Sequence, residues 1–276
     1  MRVLALCLVL AGSTLAAEVR QASFRSASLG REVGYVVDLP DGYGQGRRFP
    51  IVYAWHGLFE GPGFWERRGL AGVLAKLRQS GDVPDFIVVA PDGENSFFVN
   101  SSLGQFEDLV TRDVIEHVEA TYDVLPGPAA RAVLGVSMGG YAALRIAFKR
   151  PELFAAIATH SAMLLLEIPS AAGGARRGHM RAFGSVFGNP ISEAAWQEAD
   201  PLQWASRATA APPLRIDCGA QDRYGLARGN ERLHDILEQR GVAHEFSLPA
   251  GDHGYEYVLK VLPESLRFVG ARLAQD

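Results

Sequence analysis

The chain has 276 residues and carries 27 Lys and Arg against 31 Asp and Glu, a formal net charge of -4. That balance gives no electrostatic reason to expect nucleic acid or an anionic membrane surface as partner, and no long run of like charge stands out. The length suits one large α/β domain with a sizeable core.

In chain order, the first segment reads as an export signal rather than as part of the fold. Met1-Arg2 supplies a positive start, Val3 to Ala11 an apolar stretch, and Gly12 to Ala17 mostly small residues suited to cleavage after Ala16 or Ala17. The stretch is too short to span a bilayer, which takes roughly 20 apolar residues, and no later segment is apolar enough. The expected localisation is secreted or periplasmic. Cleavage would remove the +1 of Arg2 from the -4 total, leaving about -5, and would take Cys7 with it. Cys218 would then stand alone, unable to form an intramolecular disulfide; inside its apolar run it reads as a small buried hydrophobe.

Val33 to Leu39 reads as an early strand ended by Pro40-Asp41-Gly42. Ile51 to Trp55, Phe86 to Ala90, Val133 to Val136, Phe154 to Thr159 and Leu214 to Cys218 follow as short apolar runs bounded by Gly and Pro. Buried parallel strands look like this. Helical patterns lie between and after them, over Phe106 to Tyr122, Tyr141 to Phe148, Leu226 to Gln239 and Val258 to Leu273. The alternation predicts an α/β fold with a mostly parallel central sheet flanked by helices. One interval breaks the rhythm. Met163 to Pro213 separates two strands by about fifty residues where a handful is usual. It holds Gly173-Gly174 and Arg176-Arg177 and reads as an inserted cap around 163–213, beside the active site.

Gly135-Val136-Ser137-Met138-Gly139 has the form G-x-S-x-G, follows an apolar strand and opens a helix. In that setting the serine occupies a sharp turn as nucleophile. A serine hydroxyl needs a base to take its proton and a carboxylate to orient that base, and in this arrangement the order along the chain is Ser, acid, His. His253, in Gly251-Asp252-His253-Gly254 after the strand-like Glu245 to Leu248, is the expected base. His244 precedes that strand and His234 lies within a helix. Asp222 is the expected acid, just past a strand end; Asp217 lies within the strand, and Asp252, beside the histidine, is the competitor. The oxyanion of the tetrahedral intermediate needs N–H donors. The backbone of Met138 is one, and the loop after Tyr53 to Gly57 supplies the other from Leu58, with Phe59 second. The His56 side chain either holds that loop or meets substrate. His160, at the end of a strand, is placed to line the site.

These segments together resemble a known family. Tyr53 to Gly57, Pro91-Asp92-Gly93 with Asn95-Ser96, Gly135 to Gly140, Phe187-Gly188 with Asp200-Pro201-Leu202, Cys218 to Asp222 and Gly251 to His253 look like the "Putative esterase" family of α/β hydrolases. That group includes feruloyl and acetylxylan esterases, tributyrin esterases, S-formylglutathione hydrolases and mycolyltransferases. The likeness spans roughly residues 30 to 270. It implies an α/β-hydrolase fold, a triad of Ser137, Asp222 and His253, and a substrate pocket bordered by the Asp92 to Asn100 loop. His56, Phe59, Asn95 and His160 are the candidate substrate-binding residues. The extended motif of S-formylglutathione hydrolases around the Asp92 loop is absent.

The expected activity is a secreted serine carboxylesterase acting on short-chain or feruloyl/aryl esters through an acyl-enzyme on Ser137, with a small-molecule or carbohydrate-linked ester as partner. The alternatives are an acyltransferase of the mycolyltransferase type, an S-formylglutathione hydrolase-like thioesterase, and a non-catalytic binding protein on a hydrolase scaffold. No Asp, His or Cys spacing along the chain suggests a metal, no glycine-rich phosphate loop is present, and no cofactor is expected.

Overall fold

The computed structural model describes residues 17–170 and 177–275. The segment up to Ala16 that reads as an export signal, Gly173-Gly174 and Arg176 lie outside the described residues. The short apolar runs form the centre of an eight-stranded sheet. Its strands are β1 (Glu18–Ser26), β2 (Arg31–Leu39), β3 (Ile51–Trp55), β4 (Ile87–Pro91), β5 (Arg131–Val136), β6 (Ala156–His160), β7 (Leu214–Asp217) and β8 (His244–Ser247). They lie in the order β1-β2-β4-β3-β5-β6-β7-β8. β1, β2 and β4 pair antiparallel, and every pair from β4 to β8 is parallel. This is the mostly parallel sheet that the alternation of elements predicts.

Both faces of the sheet are covered, which is why its central strands are apolar without alternation. Tyr53, Trp55, Val133 and Ile157 belong to one buried cluster and Val52, Ala54, Leu134 and Ala158 to the other. The second face is closed by α1 (Leu70–Gln79), through Leu70, Leu74 and Leu77, and by the C-terminal helix Tyr255–Gly270. The first is closed by α2 (Val114–Thr121), α3 (Met138–Lys149) and the helix Leu226–Gln239. The helix expected over Phe106 to Tyr122 is interrupted by a π turn at Leu109–Asp113. That turn carries Asp113, whose carboxylate accepts from Ser26 Oγ at 2.6 Å and Ser28 N at 2.7 Å, tying the helix to the end of β1.

Among its described residues the long interval after β6 holds three helices, α4 (Arg177–Phe187), α5 (Glu193–Ala199) and α6 (Pro201–Arg207). Phe183 and Phe187 of α4 pack on Phe97 and on Trp196 of α5, with ring centroids 5.0–5.8 Å apart. Continuing the chain-order numbering, Leu226–Gln239 is α7 and Tyr255–Gly270 is α8.

Asp200 caps α6 by accepting from Leu202 N at 2.9 Å. Burial pushes its carboxyl up from 3.8 to about 6, against the smaller opposing effect of that hydrogen bond. Between those two values the folded state binds more protons than the unfolded chain, so this group's contribution falls as pH rises and the penalty is complete above about pH 6. Asp200→Asn keeps an acceptor at the cap and removes the titration. Urea unfolding is expected to show a gain on the order of 1–3 kcal/mol at pH 8 and a much smaller one at pH 4. An equal gain at both pH values would contradict the assignment.

Candidate active site

The C-terminal ends of four adjacent strands come level through their register. Trp55 pairs with Gly135, Val136 with His160, and His160 with Asp217. Ligands of open α/β sheets bind at this edge, and the candidate residues collect in the loops that leave it.

Ser137 sits between β5 and α3, at φ 54 and ψ -111, and is buried. A non-glycine residue at positive φ is strained and persists only where its surroundings impose it. Here Ser137 N donates to His160 O at 3.0 Å, and its own O accepts from Tyr141 N and Met163 N at 2.9 and 3.0 Å. The motif glycines let three backbones meet. A Cβ on Gly139 would lie 2.3 Å from Trp55 O, and one on Gly135 would lie 2.4 Å from Gly139 O. The colliding atoms are backbone, so they cannot swing aside. Gly139→Ala is therefore expected to cost at least the 1–3 kcal/mol typical of overpacking. It would also push the His56-Gly57-Leu58 loop away from Ser137, lowering kcat by about a hundredfold. Thermal denaturation and steady-state kinetics on the same preparation check both effects, and an unchanged Tm would refute the contact.

His253 and Asp222 come together although 31 residues separate them. His253 Nδ1 lies 2.7 Å from Asp222 Oδ2, and the carboxylate is fully buried. The other oxygen, Oδ1, accepts from Tyr224 N at 2.9 Å and Leu226 N at 3.5 Å, at the start of α7. Burial alone would raise the Asp222 carboxyl. The His253 bond and charge and those two N–H groups outweigh it and hold the group below its ordinary value. An ionised Asp222 accepts a hydrogen bond from Nδ1–H, the tautomer that leaves the lone pair on Nε2.

Asp252 and Asp217 have other partners. Asp252 Oδ1 accepts from the backbones of Arg223 and His253 at 2.8 and 2.6 Å, and its carboxylate pairs with the Arg223 guanidinium at the surface. Asp217 is fully buried, with Oδ2 2.9 Å from His160 Nδ1 and Oδ1 accepting from Tyr257 OH at 2.7 Å.

The substrate-binding candidates divide. His56 is fully buried: Nε2 accepts from Gly93 N at 2.9 Å and Nδ1 is 2.9 Å from Gly57 O. Both ring nitrogens are spent on backbone, so His56 clips the loop after β3 to the Asp92 loop. Asn95 strengthens the same clip, its Oδ1 accepting from Phe59 N at 2.7 Å. That engages the Phe59 N–H and leaves Leu58 as the donor candidate in this loop. Met138 opens α3, so its N–H is among those with no acceptor inside the helix. His160 is fully buried with its ring against Asp217 and, at 6.3 Å, Trp65; its carbonyl, not its ring, reaches Ser137.

Phe59 is about half exposed, with φ 64, and its ring lies edge-on to that of His179 at 5.4 Å. His179 lies 5.6 Å from Tyr224, which lies edge-on to His253 at 4.8 Å. So α4 of the inserted segment borders the His253 side of the site. The sequence reading singled out neither Tyr224 nor His179. Tyr224 stands two residues after the acid, which is a usable signal; nothing in the sequence points to His179. Cys218 is fully buried, and burial pushes its thiol up to about 12, so it is a packing residue.

The profile of the family described as "Putative esterase" matches residues 26–269. The chain belongs to that family. Among relatives, this esterase-family chain is 31% identical over 147 residues to an endo-1,4-beta-xylanase/feruloyl esterase of Xylanibacter ruminicola, covering 49% of this chain and 20% of that protein. The chain thus spans well under two thirds of that longer relative. In fold it is similar to a ferulic acid esterase, with a TM-score of 0.79 at 22% identity over 94% of this chain and 99% of the other. It is also similar to an S-formylglutathione hydrolase from Agrobacterium tumefaciens, with a TM-score of 0.76 at 18% identity over 95% and 99%. The family and the α/β-hydrolase architecture expected from the motifs are those found. Among the described residues no helix is long and apolar enough to cross a membrane.

Proposed function

We propose that this chain is an exported serine carboxylesterase that cleaves esters through an acyl-enzyme on Ser137. In this reading Ser137 Oγ attacks the ester carbonyl carbon while His253 Nε2 takes its proton. The backbone N–H groups of Leu58 and Met138 receive the oxyanion. The tetrahedral intermediate collapses, the C–O bond to the alcohol breaks, and His253 returns the proton to the leaving oxygen. Water then repeats the sequence on the acyl-enzyme, releasing the acid and free Ser137. Asp222 keeps the imidazole in the tautomer that makes this possible and stabilises the imidazolium.

The observation that carries the reading is the buried Asp222–His253 pair at the same sheet edge as a serine held at positive φ. The exposed ring of Tyr224 beside His253, and that of Phe59 linked to it through His179, favour a flat aryl group in the substrate. The feruloyl esterase in the name of one relative agrees with that choice. The test is hydrolysis of p-nitrophenyl esters of increasing acyl length beside methyl ferulate. Wild type is expected to cleave short acyl esters and methyl ferulate with higher kcat/KM than long acyl esters. No cleavage of any ester above a Ser137→Ala background would end the proposal. Activity confined to long acyl chains would end the aryl assignment alone.

A further inference from the structure

At the opposite edge of the sheet from Ser137, three side chains with no part in the proposed hydrolysis converge. His234 and Glu238 lie four residues apart on α7, which places them on one helix face. His244 is the first residue of β8, the strand that follows α7. One donor atom from each of the three lies within 4.8 Å of the others. His234 Nδ1 and His244 Nε2 are 2.8 Å apart. Both rings are partly buried and Glu238 is exposed, with no ion-pair partner among the described residues.

We infer that His234, Glu238 and His244 form a binding site for a divalent transition metal of the Zn2+ class, separate from the esterase site. The protonation pattern is favourable. His244 Nδ1 is 2.8 Å from Val242 O and donates its hydrogen there, so Nε2 carries the lone pair that faces His234. A backbone carbonyl on the far nitrogen is how metal-ligating imidazoles are usually oriented. The second ring is braced as well, since His234 stacks on Phe246 at 4.5 Å with planes 12° apart. Tetrahedral zinc with bonds of 2.0–2.1 Å sets its nitrogen donors about 3.3 Å apart. The two rings reach that by opening about half an ångström, and His234 moves its proton from Nδ1 to Nε2. The exposed Glu238 carboxylate swings in as third ligand, and water completes the shell. Two imidazoles and one carboxylate suit Zn2+; Ca2+ requires six to eight oxygens. The bound ion would clamp the end of α7 to the start of β8.

The test is calorimetric titration of EDTA-stripped full-length protein with ZnCl2. One equivalent is expected to bind, and CaCl2 to give no heat. His234→Gln and His244→Gln should each weaken Zn2+ binding by at least about tenfold, and Glu238→Gln should weaken it less. All three variants should keep wild-type ester hydrolysis in EDTA, so the result stands whatever the esterase assay shows. His234 packs on Phe246, so a second readout uses the wild-type chain alone. Zn2+ should shift the imidazole nitrogen resonances of His234 Nδ1 and His244 Nε2. Absence of stoichiometric Zn2+ binding, shifts confined to other histidines, or undiminished affinity in both folded His variants would overturn the site.

Discussion

Ser137→Ala is expected to lower kcat for ester hydrolysis by about a million-fold, and His253→Ala by a similar factor, with the double variant no slower than either. In the proposed mechanism the two residues perform one step. Without Oγ there is nothing for the imidazole to deprotonate, and without the imidazole Oγ is a neutral alcohol of negligible nucleophilicity at pH 7. Each loss therefore already contains the other. The fold should not change: Ser137 is N-terminal to α3 without a side-chain cap, so truncation removes one hydroxyl and no helix contact, and stability should stay within about 0.5 kcal/mol. Single-turnover kinetics with a chromogenic ester gives the rates. Mass spectrometry after a phosphonate inhibitor gives an independent readout, with an adduct on wild type and none on Ser137→Ala. An adduct that persists in Ser137→Ala would move the nucleophile elsewhere.

The parts of the fold legible in the sequence are those whose signal is local. Ile51–Trp55 and residues 132–136 are apolar because both faces of the sheet are covered, and Gly and Pro stand near their ends. The serine turn is readable because the glycines it requires stand at fixed offsets from Ser137. β1 was not legible. Only Phe24 and Ser26 of its nine residues are buried, so an edge strand made by pairing with β2 leaves almost no apolar pattern. The helix α1 is barely legible although Leu70, Leu74 and Leu77 carry helical spacing, because a single short apolar stripe is a weak periodic signal. Roles that depend on what a side chain meets were the least readable. His56 bonds two backbone groups 37 residues apart or adjacent, and only the folded loops show that they are its partners. The same holds for Tyr257, whose hydroxyl reaches Asp217 from another element.

Among three candidate aspartates, Asp222→Asn is expected to lower kcat about ten-thousandfold while leaving KM and stability little changed. The reason lies in how its two oxygens are used. Oδ1 faces two donors, the N–H groups of Tyr224 and Leu226, and Oδ2 faces His253 Nδ1 and, more weakly at 3.7 Å, the Cys218 thiol. An asparagine has one acceptor and one donor end. If its NH2 pointed at Tyr224 and Leu226, donors would meet donors inside the protein, where an unsatisfied pair costs about 1–3 kcal/mol. The carboxamide oxygen therefore takes the Oδ1 place and the NH2 faces His253. Nδ1 must then accept, its proton moves to Nε2, and the ring presents Ser137 with a donor where the reaction needs a base. The loss should be relieved as hydroxide concentration rises, because hydroxide can remove the serine proton without the imidazole. Asp252→Asn is the control. It keeps an acceptor for the Arg223 and His253 backbones and surrenders only an exposed ion pair that solvent screens; its kcat should stay within about fivefold of wild type. A ten-thousandfold loss in Asp252→Asn with Asp222→Asn nearly active would assign the carboxylate to Asp252. The buried Oδ2–Nδ1 bond argues for the reverse, since it gives Asp222 the one contact through which a carboxylate can select the imidazole tautomer.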